Sequence, residues 1–209
     1  MEFKQPVSKY DEFYAKGGWN YNIEKEKNIL INSIIKPLDL KPCKMLDFGC
    51  GMGHHADMWR GLGFDIVGID LSSVAIEYAR KHYPGIKFIH ADASKYKFNS
   101  KFDIIFARGT SFYHYDLSGT GERGKYVLKV TKDMFDILKG GGLFILFIRT
   151  NFSGNKDERG AYNNRIEDYV YLFSRFGTIV KITDYDGKII NKDSRGIIIT
   201  TRKGRDYYG

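Results

Sequence analysis

Apolar positions along the chain change period several times, and each change marks an element. Between Asn22 and Lys36, Ile23, Leu30, Ile31, Ile34 and Ile35 form one helical stripe, which Pro37 is expected to stop. Short apolar runs at Lys44–Phe48, Asp65–Asp70, Lys87–His90 and Phe102–Phe106 read as strands. Leu143–Arg149 is apolar on both faces, the pattern of a central parallel strand. Helical spacing recurs from Ser72 to His82, with Ser72 a candidate N-cap, from Glu122 to Leu138, and from Arg165 to Phe176, with Gly177 as its stop. Gly140-Gly141-Gly142 is expected to end the second of these. Thr178–Asp184 and Gly196–Arg202 close the chain as two strands with no helix between them.

Alternating strands and helices predict an α/β fold, a mostly parallel seven-stranded sheet with helices on both faces. The closing pair predicts an antiparallel partner at the sheet edge. The 209 residues suit a single domain over 1–209. Within it, residues 1–22 carry Tyr10, Phe13, Tyr14, Trp19 and Tyr21 among polar neighbours and read as an arm or lid on a core spanning 23–209. The polar stretches 110–121 and 151–164 are long loops of the kind that line sites.

Composition narrows the class. With 43% hydrophobic and 28% charged residues the chain is globular rather than disordered. Its longest apolar run, Leu143–Ile148, is far below the roughly 20 residues of a membrane span. The first residues carry no apolar signal region, so a cytoplasmic protein is expected. Cys43 and Cys50 make neither a disulfide framework nor a metal-ligand spacing, so no metal is expected. The net charge of +8 permits nucleic acid as a partner, but the scattered lysines favour a solvated basic surface.

The densest chemistry lies in Met45-Leu46-Asp47-Phe48-Gly49-Cys50-Gly51-Met52-Gly53-His54, a glycine loop between a strand and a helix. Glycines let the backbone turn sharply and let a ligand approach it closely. The spacing differs from the Gly-x-Gly-x-x-Gly of dinucleotide folds, and no Gly-Lys-Ser/Thr of a phosphate loop follows. Asp70 ends the second strand in Val67-Gly68-Ile69-Asp70-Leu71-Ser72, where a carboxylate can accept both hydroxyls of a ribose. Asp92 ends the third.

Together these motifs resemble the class I S-adenosylmethionine-dependent methyltransferases over about residues 40–150, and the two closing strands match that family's terminal hairpin. The resemblance implies a Rossmann-like three-layer domain with a C-terminal antiparallel hairpin. The cofactor would be S-adenosyl-L-methionine and its product S-adenosyl-L-homocysteine. Gly49, Gly51 and Gly53 would pass close to its methionine part, and Asp47 would help hold its amino group. Asp70 would take the ribose hydroxyls, Leu71 would pack on the adenine, and Asp92 and Ala93 would meet the adenine edge. Ala107 and Arg108 match the position that closes over the methionine and faces the substrate. An N-terminal aromatic would cover the cofactor, with Tyr10, Tyr14 and Trp19 as candidates.

A nucleophile at oxygen or protonated nitrogen also needs a proton acceptor. His114 in the loop after the fourth strand is the candidate, because histidine titrates near neutral pH, with Tyr113 as the fallback. Arg108 is a candidate either for an acidic substrate group or for a structural ion pair. The chain lacks the Asn/Asp-Pro-Pro-Tyr/Phe run of amino-methylating DNA enzymes and the Pro-Cys pair of cytosine-carbon methyltransferases. Little chain is left for a recognition domain. The expected acceptor is therefore a small molecule methylated at oxygen, such as a sugar or hydroxylated metabolite. An RNA- or protein-directed enzyme and a non-catalytic cofactor-binding module are the alternatives. Oligomeric state is not encoded in these patterns.

Overall fold

The computed structural model describes residues 5–150, 164–191 and 193–204. The predicted loop 151–164 therefore lies outside the described residues except for Asn164. Strands β1 (Lys44–Phe48), β2 (Asp65–Asp70), β3 (Lys87–His90), β4 (Phe102–Arg108), β5 (Leu138–Arg149), β6 (Gly177–Thr183) and β7 (Gly196–Lys203) form one sheet in the order β3-β2-β1-β4-β5-β7-β6. The pairs β1–β2, β2–β3, β1–β4 and β4–β5 are parallel, whereas β7 is antiparallel to both β5 and β6. The antiparallel strand is thus inserted inside the sheet, and the expected edge position belongs to β6.

The period of two along the strands sorts side chains into two cores. Leu46, Ile105, Phe144, Leu146 and Ile148 pack against Val127, Val130, Met134 and Phe135 of α6 (Gly121–Asp136) and Tyr169, Leu172 and Phe173 of α7 (Ile166–Ser174). Met45, Ile66, Ile104, Ile145 and Phe147 face the other way. They meet Ala56, Met58 and Trp59 of α4 (His54–Gly61) and Ile76 and Ala79 of α5 (Ser73–His82). Each face of the sheet is covered, so its central strands are apolar on both sides.

Three local readings change. The N-terminal arm contains a helix, α1 (Val7–Ala15), which has no buried residue and so no apolar stripe to announce it. Pro37 does not stop the second helix. Helix α2 (Ile23–Ile29) runs into a π-helical stretch, Leu30–Ile35, and then into a short turn, α3 (Lys36–Leu38). Pro37 sits in the first turn of α3, where an N–H is not required. The triplet Gly140–Gly142 lies within β5 rather than before it. Phe102 pairs with Leu138 but Ile104 with Leu143, so the glycines are absorbed as an irregularity of the β4–β5 ladder. Among the described residues, no helix is long and apolar enough to cross a membrane.

Candidate active site

Strand β1 pairs with β2 on one side and β4 on the other, so strand order reverses there. Open α/β sheets bind ligands at the carboxyl ends of strands beside such a switch point. A cleft opens at that place, lined by the glycine loop, the ends of β1, β2 and β4, and the aromatic arm. Its free interior is about 110 Å³.

The glycine loop is shaped by backbone demands. Gly49, Gly51 and Gly53 all have positive φ, at 75°, 51° and 82°. Gly51 N–H donates to Asp70 Oδ2 at 2.8 Å, and Ser72 N–H donates to Asp70 Oδ1 at 2.9 Å. Asp70 thereby ties the loop to the end of β2, and its carboxylate still faces the cleft. Burial raises its pKa, against the hydrogen bonds from Ser72, Gly51 and Leu71. Gly53 plays a different part from its two neighbours. It does not line the cleft, and a Cβ there would strike Phe88 at 2.8 Å and Ala79 at 3.0 Å. Its bareness lets α4 start close against the second core.

Asp47 is 1% exposed at the end of β1, yet it lines the cleft. Its Oδ2 has no hydrogen-bond partner. Burial first, then the charge of Asp70, push its pKa up to about 8, with the Ala56 N–H opposing. A buried carboxylate oxygen without a partner is costly, and a ligand ammonium would remove that cost. The residues fit the implied cofactor: an acid with one unpartnered oxygen beside the glycine turn and a second acid at the end of β2.

Leu71, Asp92, Ala93 and Arg108 line the cleft. Asp92 Oδ1 accepts from Ser94 N–H and its hydroxyl, at 2.9 and 2.7 Å, which fixes its loop. Ala107 is fully buried in the core and does not reach the cleft. Tyr14 and Trp19 both line the cleft, but differently. The Tyr14 hydroxyl lies 2.6 Å from where a Cβ of Gly51 would stand, so its ring fills the glycine cradle. Trp19 is 49% exposed and packs on Phe13 at the mouth. Helix α1 is pinned through Asp11, whose Oδ1 accepts from Ser72 Oγ at 2.5 Å. Tyr10 also lines the cleft, and its hydroxyl lies 3.4 Å from that of Tyr115.

The proposed proton acceptors sit elsewhere. Tyr113 is fully buried, stacked among Phe112, Phe144 and Phe173, with Thr131 donating to its hydroxyl. Half-buried His114 does not line the cleft among the described residues. The histidines that do are His54 and His55. His54 Nδ1 meets the Tyr83 hydroxyl at 2.7 Å, and burial lowers its pKa, so it is neutral at pH 7.

Sequence reasoning missed Glu26. Its Oε2 accepts from His55 Nε2 at 3.0 Å and Arg108 Nε at 3.3 Å, and its Oε1 from Arg108 Nη2 at 3.2 Å. Burial alone would raise the Glu26 pKa, but the hydrogen bonds from His55 and Arg108 bring it down to about 2. His55 is held neutral by burial, which lowers its pKa. One signal was available. Glu26 stands three residues after Ile23 and four before Leu30, so an acid interrupts the apolar stripe. Among the described residues, no cluster of His, Cys, Asp and Glu could hold a metal ion.

Comparison with known proteins agrees with this geometry. Residues 45–142 match the model of a methyltransferase domain. Over 87 residues, 38% of this chain and 18% of the relative, the sequence is 41% identical to phosphoethanolamine N-methyltransferase 3 of Arabidopsis thaliana. Over 83 residues, 38% of this chain and 34% of the relative, it is 39% identical to the ubiquinone biosynthesis O-methyltransferase of Pelagibacter ubique. The chain therefore spans well under two thirds of these curated relatives. The fold is shared with N-methyltransferase NodS from Bradyrhizobium japonicum, solved in complex with S-adenosyl-L-homocysteine, at a TM-score of 0.71 and 16% identity, covering 94% of this chain and 97% of that one. The glycine loop, the paired acids and the sheet order of this chain thus accompany a match of residues 45–142 to a methyltransferase domain and a fold shared with S-adenosylmethionine-dependent methyltransferases.

Proposed function

We propose that this protein transfers a methyl group from S-adenosyl-L-methionine to an oxygen atom of a small, hydroxylated acceptor. The observation that carries the reading is the buried Asp47 carboxyl, whose Oδ2 has no partner, beside a glycine loop that Asp70 anchors. When bound, the cofactor supplies a methyl group already activated on a sulfonium sulfur. Asp47 would hold its ammonium, Asp70 its ribose hydroxyls, and Leu71 with Asp92 and Ala93 its adenine. The chain's remaining tasks are to position the acceptor and to exclude water. Positioning is worth roughly 7–11 kcal/mol in favourable systems. The aromatic arm, with Tyr10, Tyr14 and Tyr21, suits the exclusion of water.

A hydroxyl acceptor must lose a proton. His54 is the cleft group suited to take it, being neutral at pH 7 and held by Tyr83 through Nδ1. Relatives named as both N- and O-methyltransferases leave nitrogen as a second reading, in which an amine arriving neutral would need less help. The test is a titration with S-adenosyl-L-homocysteine followed by a screen of small hydroxyl and amine compounds with labelled S-adenosyl-L-methionine. Micromolar binding and label transfer to a hydroxyl compound support the proposal. Transfer only to amines overturns the oxygen assignment, and transfer only to RNA or protein overturns the small-molecule one.

A further inference from the structure

Arg108 ends β4 at the cleft, and three contacts fix its guanidinium. Phe147 lies beneath it, with 3.9 Å between Cζ and the ring centroid. Tyr185 and Tyr21 flank it at 5.4 and 5.6 Å. Glu26 takes its Nε and Nη2 edge, and His55 holds Glu26 from the other side. Burial works against the Arg108 charge, but the Glu26 hydrogen bond and the neighbouring acids more than offset it, so the group stays cationic.

One edge of the fork remains. Among the described residues Nη1 makes no hydrogen bond, and the side chain keeps 16% of its surface open where it lines the cleft. Nearby, the Tyr185 hydroxyl is buried with no partner. A guanidinium carries five N–H donors in a fixed plane that matches carboxylate and phosphate oxygens. Buried ion pairs add little net stability compared with apolar side chains of the same size. A cation held by Glu26 and Phe147 in the lining of a ligand cleft, with one edge of its fork unused, is better explained by recognition than by stability.

We infer that Arg108 selects acceptors bearing an oxyanion, a carboxylate or phosphate distinct from the atom that is methylated, and that Glu26 and His55 are positioning residues for it. This deepens the proposed methyltransferase reading and rests on it for the word acceptor. The cleft's aromatic walls suit a planar acid.

The experiment titrates the protein, with and without saturating S-adenosyl-L-homocysteine, with benzoate, phenyl phosphate and the neutral benzamide. Wild type should bind one of the acids about tenfold or more tighter than the amide, as charge-assisted pairing allows. Which acid wins identifies carboxylate or phosphate. Arg108→Lys should erase the preference while changing S-adenosyl-L-homocysteine affinity by less than about twofold. Glu26→Gln, nearly isosteric, should strengthen acid binding because it removes the competing carboxylate. Equal binding of acids and amide by wild type overturns the inference without any variant. A collapse of S-adenosyl-L-homocysteine binding in Arg108→Lys also overturns it, by giving the free edge to the cofactor. Failure of wild type to bind S-adenosyl-L-homocysteine would refute the methyltransferase reading alone, since the acid preference is read on the ligand-free protein as well.

Discussion

The Asp47 carboxyl should release a proton when the cofactor binds. Burial and then Asp70 raise its pKa from 3.8 to about 8. At pH 6, about 99% of the ligand-free protein should carry that proton. An ammonium placed against the unpartnered Oδ2 favours the ionised form and returns the pKa toward its ordinary value. Roughly one proton then leaves per ligand bound at pH 6, and affinity rises by up to about tenfold per pH unit between pH 5 and 7. Above about pH 8 Asp47 is already ionised without ligand, so the rise in affinity levels off there. Calorimetric titration with S-adenosyl-L-homocysteine in buffers of different ionisation enthalpy counts the proton directly. Asp47→Asn should show no buffer dependence and bind about 10–100-fold more weakly, the loss expected for a hydrogen bond to a charged group. The same raised pKa fixes a sign for stability. The ligand-free protein is most stabilised by this group below pH 3.8, and that contribution, on the order of 5 kcal/mol, is lost as pH rises to about 8. Heats that are independent of buffer, with affinity flat from pH 5 to 7, would refute the reasoning.

Glu26 carries the opposite sign. Its pKa falls from 4.5 to about 2 through His55 and Arg108 despite burial, so its contribution is present above pH 4.5 and lost as pH drops toward 2. Urea unfolding across that window should show a loss of about 3 kcal/mol that Glu26→Gln flattens, and an unchanged profile would break the assignment. His54→Ala should lower turnover on a hydroxyl acceptor by about 10²-fold or more while His114→Ala leaves it nearly intact; steady-state rates with the reverse ranking would return the role to the loop histidine. Gly51→Ala forces a side chain into a backbone at φ 51° and against the Tyr14 hydroxyl. It should cost about 1–2 kcal/mol by thermal unfolding and weaken S-adenosyl-L-homocysteine binding, and a neutral effect on both would show that the cradle is not closely filled.

The parts of this fold that sequence discloses are those whose signal is local. The runs at Lys44–Phe48 and Asp65–Asp70 matched β1 and β2, because strands buried on both faces must be continuously apolar. The glycine loop was legible because only glycine tolerates positive φ at three alternating positions. Helix α1 was not, since it buries no residue and is held by polar contacts such as Asp11 to Ser72. The insertion of β7 between β5 and β6 is decided by pairing across distant segments, which no window of the chain contains. Histidine as a residue type suits a proton acceptor, but the direction in which a loop side chain faces depends on the packing of its neighbours, here the buried Phe112 and Tyr113. Glu26, 82 residues from Arg108, gave only the weak hint of an acid on an apolar stripe.

The electrostatics of the cleft explain why an aromatic arm should cover it. Burial and then Asp70 raise the pKa of Asp47, which has no cation to relieve it, whereas Arg108 already has Glu26. The ligand-free cleft is therefore short of positive charge on its glycine-loop side and balanced on its β4 side. Water penetrating from the mouth would weaken the pull on an arriving ammonium, because Coulomb attraction falls with the local dielectric. Tyr21 lines the cleft and keeps that dielectric low, and burial raises the Tyr14 and Tyr21 phenols so that neither adds negative charge near neutral pH. A ligand must move the Tyr14 ring to reach the cradle, and the arm's attachments through Asp11 and Tyr10 lie outside the glycine loop, where they can hold α1 while the ring swings. On this argument the arm governs the rate at which the cofactor enters and leaves, while Asp47 and Asp70 govern how tightly it is held. Tyr14→Ala should accordingly speed both association and dissociation of S-adenosyl-L-homocysteine in stopped-flow measurements with little net change in affinity, and a change confined to dissociation would make Tyr14 a binding residue instead.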